Sequence, residues 1–165
     1  MKIITIKQPW AWAIFHAGKD VENRKWIPSH RGPLGIHAAK STVSSEYKIA
    51  ADFIRSLGYT PPTFEELRDR GETGVILGTV DFVGTKTDSD WYLGDLWRKP
   101  VDLAYQNGDT RLYRDIRCYR LNDVATVHEY RDCHGWHLAN PVTLPTPIAA
   151  TGRLGLWDFD LGDLA

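Results

Sequence analysis

Gly18-Lys19-Asp20-Val21-Glu22-Asn23-Arg24, with Gln8-Pro9-Trp10-Ala11-Trp12 ahead of it and Trp26 just behind, decides the reading of this chain. It gathers Lys19, Glu22, Arg24 and three tryptophans into residues 8–26. Apolar packing can be done by Leu, Ile and Val alone, whereas charges beside indole faces are what recognition of a planar, polar or anionic ligand requires. Gln8 and Pro9 open a helix of about two turns, with Pro at its first position. Trp10, Ala13, Ile14 and Ala17 recur at helical spacing, and Gly18 closes the helix as a left-handed cap. Lys19 leaves that end, where its charge suits the negative pole of the helix dipole. From Asp20 to Trp26 the chain reads as extended, so strand alternation places Glu22, Arg24 and Trp26 on one side. That co-facing set, with Lys19, is the candidate ligand-binding edge.

Ahead of this stretch, Lys2 to Lys7 reads as a short β-branched strand. Pro28 and the Arg31-Gly32-Pro33 turn end the charged segment, and Leu34 to Ala38 forms the next strand. On it Leu34, Ile36 and Ala38 face one way and His37 the other, with Lys40 at the exit. Residues 44 to 57 carry a helical stripe of Tyr47, Ala50, Phe53, Ile54 and Leu57 that Gly58 stops. Thr63 and Glu66 make a capping box for a second short helix that Gly71 terminates. This helical pair, spanning about 42–72, is expected as an insertion or cover on a β-rich body. Val75 to Val83 alternates as a strand, Thr85 to Gly108 reads as a long, partly ordered loop, and Ile116 to Leu121 as another strand. Trp136 to Pro141 leads into Thr143 to Pro147, and Gly152 to Phe159 closes the chain as a final strand. Many short strands separated by turn residues favour a small barrel.

The chain has 165 residues, 42% hydrophobic and 25% charged. That suits one soluble globular domain, spanning 1–165, and is too apolar for disorder. No run approaches the roughly 20 apolar residues that a bilayer demands, and Met1 to Ile6 shows no signal-like pattern, so a cytoplasmic, membrane-free protein is expected. Two cysteines, Cys118 and Cys133, are expected to be reduced in that compartment. The net charge of −1 hides an asymmetry. Residues 1–48 hold eight Lys or Arg against three acids, while the remainder holds twelve against eighteen. Positive charge is thus concentrated where the tryptophans are, although sequence neighbours also scatter over a folded surface.

Taken together, Gln8-Pro9-Trp10, the Lys19-to-Arg24 run, Arg31-Gly32-Pro33-Leu34-Gly35-Ile36-His37-Ala38-Ala39-Lys40, Trp136 to Pro141 and Gly155-Leu156-Trp157 resemble the ASCH domain (activating signal cointegrator homology). The signature of that family is GxKxxExR. Lys19, Glu22 and Arg24 fit it, but Gly18 stands directly before the Lys and Ala17 fills the expected Gly slot. The resemblance implies an α+β protein with a PUA-like mixed β-barrel, here with an N-terminal helix and a helical insertion. It implies a cleft that binds RNA or a nucleotide-like ligand. A branch of small ASCH relatives hydrolyses the acetyl amide of acetylated cytidine and carries Thr where this chain has Glu22, so that nucleophile does not transfer.

The residues themselves suit a single-stranded RNA partner. Lys19 and Arg24 can hold phosphate, and indole faces can stack unpaired bases more readily than those of a duplex. Gln8, Trp10, Lys19, Arg24, Trp26, Arg31, Lys40 and Tyr47 form the candidate contact set, while Trp12 and Trp157 are expected in the core. Metal-independent RNA cleavage would need a base, an acid and cations, which nominates Lys19, Glu22, His37 and Lys40. The competing expectations are an amidohydrolase acting on a modified nucleoside such as N4-acetylcytidine, with Glu22 activating water, and a non-enzymatic reader of RNA or a modified base. No cofactor is expected. Cys118, His128, Cys133, His134 and His137 include zinc-ligand types but lack paired spacing, so no metal is expected. Arg111, Arg114, Arg117 and Arg120, interleaved with Tyr113 and Tyr119, read either as solvated charge or as a second RNA-contacting strip.

Overall fold

The structure, a computed structural model, describes residues 1–86 and 134–160. The expected strand at Ile116 to Leu121, most of the Thr85 to Gly108 loop, the arginine strip and the thiols of Cys118 and Cys133 lie outside them. Nine elements follow in chain order: β1 (Lys2–Ile6), α1 (Trp10–His16), β2 (Val21–Arg24), β3 (Gly32–Ala38), α2 (Ser44–Ser56), α3 (Phe64–Asp69), β4 (Val75–Lys86), β5 (His134–Ala149) and β6 (Leu156–Asp158). The strands form one mixed sheet in the order β2-β5-β4-β3-β1-β6. Among the described residues only β1 and β3 pair in parallel, and the other four pairings are antiparallel. The 16-residue β5 is one strand where the sequence suggested two pieces. It runs through Pro141, Pro145 and Pro147, and the register with β4 shifts three times along its length, which is how a long strand accommodates residues that cannot donate to the ladder.

The sheet curls into a half-barrel. β2 and β1 stand four places apart in the order, which in a flat sheet would separate them by about 19 Å. Yet an Arg24 guanidinium nitrogen on β2 donates to the Thr5 carbonyl on β1 at 2.7 Å. One side chain bridges the two only because twist and bulges bring the ends of the sheet towards each other. Among the described residues β2 and β6 end the order without pairing to one another, so the expected barrel stays open at that seam.

Both faces of the sheet are covered. On one, Leu34, Ile36 and Ala38 of β3 pack with Ile4, Ile6, Phe82, Trp136 and Leu138 beneath α1 and α2. The helical stripe of α2 buries Tyr47, Ala50, Phe53 and Ile54 here, and Trp10 meets Phe53 with ring centroids 6.0 Å apart. The α2–α3 pair is therefore part of the main core. Its stops follow the sequence signals: at the end of α2, Gly58 takes φ 91 while Tyr59 donates to the Ile54 carbonyl and Gly58 to that of Arg55. These two bonds close a left-handed cap that a side chain would strain. At the start of α3, Thr63 accepts from the Glu66 amide and Glu66 accepts from the Thr63 amide, completing the capping box. On the other face a smaller cluster of Ile3, Ile76 and Trp157 is roofed by the 144–159 segment.

Candidate functional site

Lys19 emerges from the end of α1 and folds back onto β2. Its Nζ donates to the Val21 carbonyl at 2.5 Å and to Glu22 Oε2 at 2.6 Å. The other oxygen of Glu22 lies 3.1 Å from the Arg24 guanidinium, which also holds the Thr5 carbonyl. One carboxylate thus joins two cations, each on its own oxygen. Lys19 and Glu22 are nearly buried, with side chains 7% and 12% exposed, while Arg24 keeps 28% of its surface in solvent. Strand alternation explains the geometry: Glu22 and Arg24 share a face, and Lys19 reaches them because the cap turns it back. The trio retains one positive charge.

Beside Lys19 lies a cavity of about 210 Å³, walled by Ile14, Val80, Leu138 and Pro141 among others. On its rim Asn140 adopts a left-handed φ of 49 and donates from Nδ2 to Asp81 at 2.7 Å.

Trp26 is placed by a second set of contacts. β2 pairs with β5 so that Glu22 stands opposite Trp136. Trp136 is fully buried, lies 5.1 Å from the Phe82 ring and donates its Nε1–H to the Trp26 carbonyl at 3.0 Å. The Trp26 ring stands edge-on to it at 4.6 Å, and the residue remains 37% exposed. Arg31 caps the other end of this aromatic row, its guanidinium 4.9 Å from the Phe82 centroid, tied to the Pro28 and His30 carbonyls. Lys19, Glu22 and Arg24 therefore form one cluster, and Trp26 and Arg31 sit at the two ends of the Trp136–Phe82 pair behind it.

The remaining candidates go elsewhere. Gln8 is 1% exposed and internally engaged, accepting from the Trp12 amide and donating to the Glu72 carbonyl. Trp10 and Tyr47 are core residues, and the Tyr47 hydroxyl donates to the Pro62 carbonyl; burial pushes its pKa up to about 12. Lys40 is exposed past the end of β3 against Gly74, in the region of Glu72 that Gln8 holds. Lys19 follows the opposite end of α1, whose seven residues span about 10 Å. Trp12 and Trp157 are buried.

His37 departs furthest from the cluster that the sequence suggested. Ile36 and Ala38 face the helices, so His37 points through the sheet to the other side. There its ring lies edge-on to Trp157 at 5.7 Å and its Nε2–H donates to the Ala150 carbonyl at 3.0 Å. A Cβ on Gly152 would stand 2.7 Å from the ring, so the turn above it needs glycine. Burial lowers the His37 pKa below 6.5, partly offset by the Ala150 bond. The unfolded chain consequently binds the proton more readily. This contribution to stability is complete above pH 6.5 and is lost as pH falls below that value towards the folded-state pKa. An NMR titration should show the His37 ring protonating below 6.5, and the wild type should lose more stability between pH 7.5 and 5.5 than His37→Asn. A ring that titrates at or above 6.5 would contradict this.

Sequence reasoning gave Trp136 only as part of a motif block and missed Phe82 and the place of His134. The pairing of β2 with β5 joins residues more than a hundred positions apart, and no local pattern announces it. Among the described residues no three His, Cys, Asp or Glu side chains converge as a metal site, and no helix is long and apolar enough to cross a membrane.

A curled mixed sheet with few helices presents two cations around a shared carboxylate, beside a part-exposed indole. The ASCH domain family model matches residues 4–98, more than half of the chain, and the chain belongs to that family. The family is generally associated with RNA binding. Among solved structures, the chain is similar to the ASCH protein of Zymomonas mobilis: 15% identity, 89% of this chain and 71% of that one covered, TM-score 0.38. Two single-substitution variants of that protein are 15% identical over 89% of this chain, covering 73% and 72% of theirs with TM-scores of 0.39. No curated protein matches.

Proposed function

We propose that this domain binds single-stranded RNA at the mouth formed by Arg24, Trp26 and Arg31. The observation that carries this reading is the half-open Trp26 ring, held edge-on by a fully buried Trp136. An exposed indole on a fixed support loses little freedom when a base stacks on it, and stacking contributes about 1–3 kcal/mol per base. Arg24, the exposed Lys25 and Arg31 flank the ring and supply charge for the adjoining phosphates. A duplex already stacks its bases and offers that ring nothing, so the preference is for unpaired strands.

Binding without cleavage is the form the geometry favours. The proposed histidine faces away from the cations, and Glu22 is clasped by two of them rather than left free to take a proton. A second reading, a modified nucleoside as ligand, is supported by the cavity beside Lys19. Its 210 Å³ corresponds to about seven waters of liquid volume, room for a base-sized group.

Fluorescence anisotropy with a labelled oligouridylate tests the first reading. Trp26→Ala should weaken binding by about tenfold or more, while a duplex of the same length competes poorly. Equal affinity of wild type and Trp26→Ala would remove the stacking platform.

A further inference from the structure

Arg24 stands opposite His134 across the β2–β5 ladder, just as Glu22 stands opposite Trp136. Directly opposed residues of an antiparallel pair project to the same face, so His134 joins the cluster on the face that carries Arg24 and Trp136. Among the described residues, two atoms there are buried and have no hydrogen-bond partner: Nε of Arg24 and Nδ1 of His134. One terminal nitrogen of Arg24 already serves Thr5 and Glu22, which leaves the inner N–H of the same guanidinium idle. A buried donor without an acceptor carries a desolvation penalty that an incoming oxygen would relieve.

We propose that Arg24 and His134 form an anion subsite that holds a phosphate of the bound RNA strand. The inference rests on the RNA-binding reading above and adds to it a residue outside the charged motif. Arg24 supplies the charge and a fixed fork; His134 supplies an N–H from Nδ1 to a second phosphate oxygen. Opposed Cβ atoms stand about 5 Å apart, so an oxyanion fits between the two side chains with one oxygen towards each. Arg24 is the last residue of β2 and His134 the first of β5, and both side chains are part-exposed. Rotating the His134 side chain to meet a ligand on the fixed Arg24 fork breaks no ladder bond. Trp136 lies two residues along β5, about 7 Å away, and carries the Trp26 ring. A phosphate held by His134 therefore leaves its neighbouring base beside that indole.

A terminal phosphomonoester and an internal phosphodiester present the same oxygens, so two probes are needed: uridine 5′-monophosphate and a labelled oligouridylate. With the oligonucleotide, His134→Ala should weaken binding by about tenfold. His134→Asn keeps an N–H near the Nδ1 position and should retain most of the affinity. A merely structural histidine would not be rescued in this way. Wild-type affinity in His134→Ala, or an equal loss in both variants, would overturn the subsite and leave the strand-binding reading intact. Binding of the monophosphate but not the oligonucleotide, abolished by His134→Ala, would support the subsite and overturn the strand. If the wild type takes neither probe, both fall.

Discussion

Replacing Glu22 by Ala should destabilise the protein by about 3 kcal/mol or more, because it leaves the Lys19 ammonium buried with only a carbonyl for company. The same deletion strands Arg24, which keeps the Thr5 carbonyl but loses its carboxylate. Urea unfolding of the purified variant measures this directly. The double variant Lys19→Met with Glu22→Leu should recover much of the loss, since removing both charges also removes the desolvation penalty. A single-site loss below about 1 kcal/mol would place Lys19 and Glu22 among surface pairs, contrary to their burial. The motif is thereby assigned two tasks. Lys19 and Glu22 lock the exit of α1 onto β2, and Arg24 holds the seam of the half-barrel while keeping 28% of its side chain exposed.

The second large effect falls on Trp136. Truncation to Ala removes a fully buried indole between Phe82 and Trp26, and core truncations of this size cost about 3–5 kcal/mol. RNA affinity should fall in the same variant even under conditions where it stays folded, because Trp26 loses both its edge-on neighbour and the hydrogen bond to its carbonyl. Trp136→Phe separates the two roles. It keeps an aromatic wall but not the N–H, so it should cost about 1 kcal/mol in stability and spare most of the binding. A Trp136→Ala protein that binds RNA as the wild type does would show that Trp26 needs no support.

How far the sequence foretold this arrangement depends on the range of the interaction. Local signals read well: the Thr63–Glu66 box, the stops at Gly58 and Gly71, and the opposition of His37 to Ile36 and Ala38 on β3 are each written within a few residues. The alternation that puts Glu22 and Arg24 on one face is equally local, and so is the return of Lys19. What local pattern lacks is the depth of each side chain. Trp10 and Tyr47 carry the chemistry of a ligand wall, but α2 settles on α1 and takes both into the core. His37 lies close in sequence to the cations and ends on the far side of the sheet, because one residue of register decides a face. Trp136 and His134 enter the site through a long-range pairing, and the seam bridged by Arg24 exists only once the sheet has curled.

If the mouth proposed above receives the phosphates and bases of an unpaired RNA strand, binding must depend steeply on salt. A labelled oligouridylate titrated into the wild-type protein between 50 and 200 mM salt should lose affinity steeply. With contacts from Arg24, Lys25 and Arg31, log K should fall against log salt with a slope of roughly −2, at about −0.7 per phosphate neutralised on a single strand. An affinity that stays constant across that range would mean that no phosphates are engaged, and would overturn RNA binding at this site.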